Sequence, residues 1–213
     1  MSQPDFPTLT VIAHPLIRVK ISELRDARTD HARFRSLLNE VAGLMVYECT
    51  RDLPVHASRV RTPLEETEGA ELATPVTLVP ILRAGLGMTA GILALVPECK
   101  VGHIGLYRDE DTLTPVSYYE KLPVDVTNGP VFVVDPMLAT GGSVIEAVAR
   151  LKEQGCTDIR MICLVAAPEG VRAMADAHPD IRIYTAALDR ELNELGYILP
   201  GLGDAGDRIF GTQ

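Results

Sequence analysis

Apolar residues in this chain fall into short continuous runs that alternate with amphipathic segments. A short apolar run is typical of a strand covered on both faces, whereas apolar residues three and four positions apart are typical of a helix. From residue 76 onward the runs predict strands at 76–82, 101–107, 131–135, 159–166 and 181–187. The segments between them predict helices at 87–96, 143–154 and 169–177. This alternation predicts an α/β fold, with a mostly parallel sheet flanked by helices.

The two ends of the chain follow a different pattern. Residues 9–13 predict a short strand, and residues 30–53 predict a long helix. The apolar stripe of that helix consists of Phe34, Leu37, Leu38, Val41, Leu44 and Met45.

Residues 108–123, in the middle of the chain, form a polar excursion between two predicted strands, as lids and arms often do. Residues 189–213 lack the strand-helix alternation, and we expect them to form a small lobe over a single domain that spans 1–213.

Three polar side chains follow three of the predicted strands. Arg83 follows the first strand, Arg108 the second and Asp135 the third. The carboxyl ends of parallel strands share one edge of a sheet, and ligands of such sheets bind there. We therefore expect Arg83, Arg108 and Asp135 to face one ligand.

The segment VFVVDPMLATGGS at 131–143 combines a strand with a turn that opens a helix. The backbone N–H groups of residues 140–143 can converge on one anion, because glycines permit close approach and the helix dipole favours negative charge. Asp135 would repel that anion unless it met hydroxyl groups or a metal, so ribose hydroxyls with Mg²⁺ are its natural partners. The alternative is an ordinary Thr-Gly-Gly turn without a ligand.

The segment ILRAGLG at 81–87 is a tight loop that contains one arginine. Arg83 can bind a pyrophosphate through its forked guanidinium. A competing interpretation is a dinucleotide fingerprint, since Gly85, Gly87 and Ala90 fit its spacing and Asp109 follows about 20 residues later. That interpretation leaves the turn at 140–143 without a role.

The composition of the chain reduces the number of function classes that need to be considered. The chain has 213 residues and a formal net charge of −9, which disfavours a nucleic-acid partner. No apolar stretch is long enough to cross a membrane. The four cysteines lack a Cys-x-x-Cys pair and the five histidines form no zinc pattern, so we expect reduced thiols and a cytoplasmic protein.

Two segments together carry a family resemblance. DPMLATGGS at 135–143 and YILPGLGDAGDRIFG at 197–211 resemble the uracil phosphoribosyltransferases, a branch of the type I phosphoribosyltransferases. The resemblance extends from about His14 to Phe210. It implies a parallel-sheet core with a C-terminal base-binding lobe, and the condensation of uracil with 5-phosphoribosyl 1-diphosphate (PRPP) to UMP and diphosphate in pyrimidine salvage.

The resemblance also implies residue roles. PRPP would be bound by Arg83, Arg108, Asp135, Pro136, Met137, Leu138, Ala139, Thr140, Gly141, Gly142, Ser143 and Asp204. Uracil would be bound by Ile198, Gly203, Asp204 and Ala205, where main-chain groups can match its acceptor, donor, acceptor edge. Arg83, Arg108 and Asp135 would act on the reacting centre.

The chain departs from most type I relatives at one place. Those relatives have two adjacent acids where this chain has Asp135 followed by Pro136. We therefore expect Mg²⁺ to arrive with PRPP and assign it no set of protein ligands. No residue is assigned as a general base for uracil N1. The resemblance further implies a homodimer or higher homo-oligomer and GTP activation in some members. Relatives that bind PRPP as a signal to regulate transcription or RNA remain an alternative.

Overall fold

The computed structural model describes residues 2–3, 6–108 and 115–212, with the side chains of residues 2, 3, 108 and 115 outside the description. The described helices are α1 Pro15–Arg25, α2 His31–Cys49, α3 Leu86–Leu93, α4 Gly142–Glu153, α5 Pro168–Ala177 and α6 Ala205–Phe210. The strands of the first half are β1 Ser2–Gln3, β2 Phe6–Val11, β3 Val55–Arg61, β4 Glu66–Leu72, β5 Thr77–Leu82, β6 Lys100–Val101 and β7 His103–Arg108. The strands of the second half are β8 Pro115–Lys121, β9 Val131–Val134, β10 Met137–Leu138, β11 Ile159–Ala166, β12 Arg182–Leu188, β13 Glu191–Leu192 and β14 Ile198–Leu199.

One sheet organises the molecule. Its strands lie in the order β1-β2-β12-β11-β9-β5-β7-β8. The six strands from β2 to β7 in that order are mutually parallel, and the two edge strands pair antiparallel. The predicted mostly parallel sheet is therefore confirmed.

Helices cover both faces of this sheet. On one face, Leu78, Phe132 and Ile162 join a core formed with α1, α2, α3 and α6. On the other face, the next residue along two of those strands, Val79 and Val133, packs with α4 and α5. Successive strand residues point to opposite faces, so this division follows from strands that are apolar at every position.

Several predicted boundaries shift, and several elements were not predicted, among them α1 and the hairpin of β3 and β4. The long helix ends at Cys49, four residues before the predicted end, and α3 ends at Leu93. Helix α1 was missed although its buried residues Ile17, Ile21 and Leu24 recur at helical spacing. The hairpin of β3 and β4 was missed because almost all of its side chains are exposed. None of the helices in the described part of the chain has the length and apolarity needed to span a bilayer.

Candidate active site

The central crevice lies between β5 and β9. From β5 the chain adds β7 on one side, then returns to add β9 on the other. Such a reversal of strand order opens a crevice at the carboxyl ends of the two strands. The loop that carries Arg83 follows β5, and the loop that begins at Asp135 follows β9. The two loops approach closely, because a Cβ atom at Gly85 would lie 2.4 Å from the Val134 carbonyl oxygen.

The turn at residues 140–143 leads into α4. The segment before this turn is anchored to β11, since the Pro136 carbonyl accepts N–H groups of Leu164 at 3.0 Å and Val165 at 3.1 Å. Gly141 has φ +86°, a left-handed conformation that favours glycine, and α4 begins at the next residue. The first N–H groups of a helix lack an acceptor within the helix. The turn therefore presents several backbone N–H groups together.

Helix α5 supports this turn from behind. The Ala167 N–H donates to the Leu138 carbonyl at 2.9 Å, just before α5 begins. A Cβ atom at Gly170 would lie 2.3 Å from the Ala139 carbonyl oxygen, so only glycine permits this approach. Sequence reasoning missed Gly170, because a glycine inside a helix gives no sign of which distant segment it contacts.

Asp135 is a partly buried acid at the start of residues 135–143, which lead from β9 into α4 and are called the phosphate turn from here on. Its Oδ1 accepts the Met137 N–H at 3.1 Å, and its Oδ2 has no protein partner among the described residues. The pKa of Asp135 is raised to about 7, because burial raises it most, the hydrogen bond from the Met137 N–H lowers it, and the negative charge of Asp204 raises it by a smaller amount. Asp204, the second acid predicted to bind PRPP, therefore lies close enough for its charge to affect the pKa of Asp135.

Arg83 is an exposed side chain at the other side of the crevice. Its guanidinium carbon lies 5.7 Å from the centre of the Phe210 ring, and the preceding Leu82–Arg83 peptide bond is cis. Gly87, four residues later, faces Leu38 and Ile209, and a Cβ atom there would lie 2.4 Å from Leu38. The loop thus packs against α2 and α6. Sequence reasoning did not assign Phe210 a contact with this loop.

The C-terminal residues place a second hairpin and a tight turn near the phosphate turn. Strands β13 and β14 pair antiparallel. Gly201 and Gly203 have φ of +61° and +72°. A Cβ atom at Gly201 would lie 2.1 Å from the Ile198 carbonyl oxygen, so the backbone of this turn folds tightly upon itself. The side chain of Asp204 then caps α6 by accepting the Asp207 N–H at 2.9 Å.

Three arginines hold the C-terminal turn in place. Arg25 binds the buried Asp189 and donates to the Gly201 carbonyl at 2.8 Å. Arg208 donates to the Leu202 carbonyl at 3.0 Å, and its guanidinium lies 4.3 Å from the centre of the Phe34 ring. Arg35 donates to the backbone of α6 at 2.8 Å. Sequence reasoning missed these roles, because Arg25 and Arg35 are distant in sequence from the C-terminal residues they bind, and the backbone acceptors of all three arginines give no signal in the sequence.

Several predicted features fall outside these contacts. The side chain of Arg108 and all of Asp109 lie outside the described residues, so the structure gives no contacts for either. In the part of the chain that is described, no group of three or more His, Cys, Asp or Glu side chains could hold a metal ion. All four cysteines are free and buried.

Comparison with known proteins identifies the family. The model of the uracil phosphoribosyltransferase family matches residues 11–212. A uracil phosphoribosyltransferase of Streptococcus salivarius is 59% identical over 204 residues, which cover 95% of this chain and 98% of the relative. One from Streptococcus pneumoniae is 57% identical over 206 residues, which cover 96% of this chain and 99% of the relative.

Two solved structures share the fold of this chain. A protein of Aquifex aeolicus superimposes with a TM-score of 0.92 and 35% identity, over 96% of this chain and 99% of the other. A hypoxanthine-guanine phosphoribosyltransferase of Bacillus anthracis shares the fold at a TM-score of 0.51 and 12% identity, over 75% of this chain and 80% of the other. These matches replace the dinucleotide-binding interpretation of residues 85–90. The chain belongs to the uracil phosphoribosyltransferase family.

Proposed function

We propose that the protein transfers the phosphoribosyl group of PRPP to uracil, forming UMP and diphosphate. The observation that carries this proposal is the meeting of three segments at one edge of the sheet. The Arg83 loop follows β5, the phosphate turn follows the adjacent β9, and Asp204 of the C-terminal turn acts on the pKa of Asp135. An anion-binding turn, an arginine loop and an exposed backbone turn are the parts that this transfer requires.

PRPP occupies the two loops in this proposal. Its 5-phosphate binds the backbone N–H groups of residues 140–143, and its diphosphate binds Arg83 and Arg108. The ribose hydroxyls donate to Asp135, with Asp204 as a further contact. Pro136, Met137, Leu138 and Ala139 complete the PRPP-binding segment. Support comes from the free Oδ2 of Asp135 and from the position of Gly141 at the start of α4.

Uracil binds the C-terminal turn. The backbone groups of Ile198, Gly203, Asp204 and Ala205 pair with the acceptor, donor, acceptor edge of the base. The left-handed φ of Gly203 and the bonds of Arg25 and Arg208 support a turn whose backbone is held in one conformation.

Charge placement accounts for the transfer. The bond between ribose C1 and the diphosphate oxygen breaks, and a bond between C1 and uracil N1 forms, while N1 loses its proton. Positive charge grows on the ribose and negative charge on the leaving diphosphate. Arg83 and Arg108 stabilise the negative charge, and the ionised Asp135 orients the ribose. Backbone donors that stabilise the uracil anion favour release of the N1 proton to solvent water, so no side chain is assigned as base.

Mg²⁺ fits this site as an ion carried mainly by the substrate. Asp135 offers one unpartnered carboxylate oxygen, and no cluster of three ligating side chains exists among the described residues. Asp135 is thus the side chain that would face the ion. When bound, Mg²⁺ supplies positive charge beside the diphosphate oxygens.

The proposal extends to assembly, regulation and location. The hairpin of β3 and β4 exposes Val55, Val60 and Leu72, and Leu64 lies exposed between its strands, which supports a homodimer or higher homo-oligomer. Light scattering of the purified protein tests this, and a monomer would contradict it.

GTP activation follows from the family resemblance alone. Four unpaired buried thiols support a cytoplasmic location.

The deciding experiment is an assay of UMP formation from uracil, PRPP and Mg²⁺, with and without GTP. We expect turnover that needs all three components. Tight PRPP binding without UMP formation would contradict the enzyme and favour a PRPP-sensing regulator. Binding of neither substrate would contradict the whole site.

A further inference from the structure

The two carboxylate oxygens of Glu169 differ in their hydrogen bonding. Glu169 is the second residue of α5. Its Oε1 accepts the Leu192 N–H of β13 at 3.1 Å, whereas its Oε2 is buried and has no hydrogen-bond partner among the described residues. A buried carboxylate costs free energy unless its charge is used. Among the described residues, the Leu192 N–H is the one hydrogen-bond donor to this carboxylate, so this bond offsets part of the cost of burying it.

The residues on either side of Glu169 are fixed to the phosphate turn. Ala167 donates to the Leu138 carbonyl, and Gly170 packs against the Ala139 carbonyl, as described above. The Gly170 carbonyl oxygen also lies 3.2 Å from the position of a Cβ atom on Gly141. The start of α5 and the phosphate turn therefore behave as one packed unit.

Leu192 belongs to the hairpin that carries part of the uracil-binding segment. Leu192 pairs with Ile198 across the hairpin. The connecting turn also approaches the phosphate turn, because a Cβ atom on Gly196 would lie 3.8 Å from the Thr140 methyl group. The bond from Leu192 to Glu169 is thus a direct link between the base-binding hairpin and the unit that holds the phosphate.

We propose that Glu169 is a positioning residue that fixes the base-binding hairpin relative to the phosphate turn. This inference rests on the proposed function. Transfer requires uracil N1 and ribose C1 to meet in a defined geometry, and small displacements between them are costly. The phosphate turn keeps its own bonds to β11, because the Pro136 carbonyl accepts N–H groups of β11 and β10 pairs with that strand. Loss of Glu169 therefore affects uracil much more than PRPP.

Steady-state kinetics of three variants test the proposal. Glu169→Ala should raise the KM for uracil about tenfold, with the KM for PRPP within about twofold of the parent. Glu169→Gln should restore the uracil KM to within about twofold, because its amide oxygen accepts the same N–H. Glu194→Ala is the matched control, since Glu194 is an exposed acid in the same hairpin. Equal effects on both substrates, or no rescue by Gln, would overturn the proposal.

Amide exchange at Leu192 gives a readout that does not depend on turnover. Its N–H should exchange faster in Glu169→Ala than in the parent, the Gln variant or the Glu194 control. Unchanged exchange would overturn the proposed link even if the enzyme proves active. An inactive parent with the expected exchange would instead contradict the proposed function alone. Should the Ala variant fail to fold, Glu169→Asp carries the same tests, because its shorter side chain withdraws the oxygen from Leu192.

Discussion

The guanidinium carbon of Arg83 lies 5.7 Å from the centre of the Phe210 ring. Arg83 belongs to the loop after β5 and Phe210 ends α6, so this contact connects the arginine loop to the C-terminal helix. A cation is attracted to the face of an aromatic ring, by about 0.5–1 kcal/mol at an exposed site. The contact restricts the positions that the guanidinium samples before substrate binds.

Removing Arg83 and removing the Phe210 ring should lower kcat/KM by different amounts. Arg83→Ala should lower kcat/KM by roughly 3 kcal/mol, about a hundredfold, because one preorganised donor to the leaving group is lost. Phe210→Leu should lower it only about two- to fivefold, because the arginine remains and only the ring contact disappears. Steady-state assays of UMP formation measure both. Unchanged turnover of Arg83→Ala would leave Arg83 a structural residue.

The left-handed glycine of the phosphate turn gives a second prediction. Gly141→Ala should lower PRPP affinity at least about tenfold. A Cβ atom there would lie 3.2 Å from the Gly170 carbonyl oxygen and 3.4 Å from the Ala173 Cβ atom. The side chain would therefore press on α5 and displace the turn, so the N–H groups would no longer converge on the phosphate. Isothermal titration with PRPP and Mg²⁺ measures the loss.

Gly155, at the other end of α4, is the matched control for this prediction. It has φ +96°, and a Cβ atom there would meet only the Thr127 methyl group at 3.6 Å. Gly155→Ala should lose about 1–2 kcal/mol of stability from the left-handed conformation alone. Its PRPP affinity should equal that of the parent. Equal losses of affinity in both variants would show that general destabilisation, and not the turn, is responsible.

The sheet could be predicted from the sequence because its strands are buried on both faces. Every residue of β11 is buried, and its predicted bounds coincide with those observed. The hairpin of β3 and β4 could not be predicted by the same reasoning. Almost all of its residues are exposed, the apolar Val55, Val60 and Leu72 included. Because neither face of the hairpin is buried, its sequence lacks the alternation of apolar and polar residues from which a strand is predicted.

The candidate site could be predicted only where residues adjacent in sequence act together. The turn at 140–143 and the Arg83 loop are each continuous, so their glycines and polar residues are visible as motifs. Glu169, Gly170 and Phe210 depend on contacts with segments far away in the chain, which no local pattern encodes. The resemblance to a family supplied the uracil-binding residues, because a backbone turn has no characteristic side chains.

The raised pKa of Asp135 predicts a pH-dependent cost in the ligand-free protein. Burial raises this pKa from 3.8 to about 7. Below about pH 4 both folded and unfolded chains hold the proton, so Asp135 contributes nothing. Between about pH 4 and 7 the unfolded chain releases the proton and the folded chain keeps it, so stability falls as pH rises. Above about pH 7 the full cost is present.

Asp135→Asn should remove this cost. The variant should be more stable than the parent at about pH 8, by roughly 1–4 kcal/mol, and the difference should vanish near pH 4. Urea unfolding of both proteins at the two pH values measures it. Glu194→Gln, an exposed acid, should show no such difference. Activity of Asp135→Asn should fall, because the neutral amide orients the ribose less well. If the variant is no more stable than the parent at about pH 8, the raised pKa of Asp135 is contradicted.

The choice between pyrimidine bases tests the C-terminal turn. Uracil and 5-fluorouracil should both be substrates, because a small substituent at C5 leaves the acceptor, donor, acceptor edge unchanged. Cytosine should fail. Its amino group and unprotonated N3 reverse two of the three hydrogen bonds, so donors of the turn would face donors and acceptors would face acceptors. A buried mismatch of this kind can exclude an analogue by about 10⁴-fold.

Competition at fixed PRPP measures that discrimination directly. Excess cytosine, hypoxanthine or orotate should leave the rate of UMP formation from uracil nearly unchanged, whereas 5-fluorouracil should compete. Arg208→Lys should weaken the discrimination, because the single ammonium group of lysine cannot bind the Leu24, Leu202 and Asp26 carbonyls as the guanidinium does. Comparable turnover of cytosine would contradict the backbone-based recognition of uracil by Ile198 and residues 203–205. It would leave the phosphate turn and the Arg83 loop unaffected, since neither contacts the base in the proposed site.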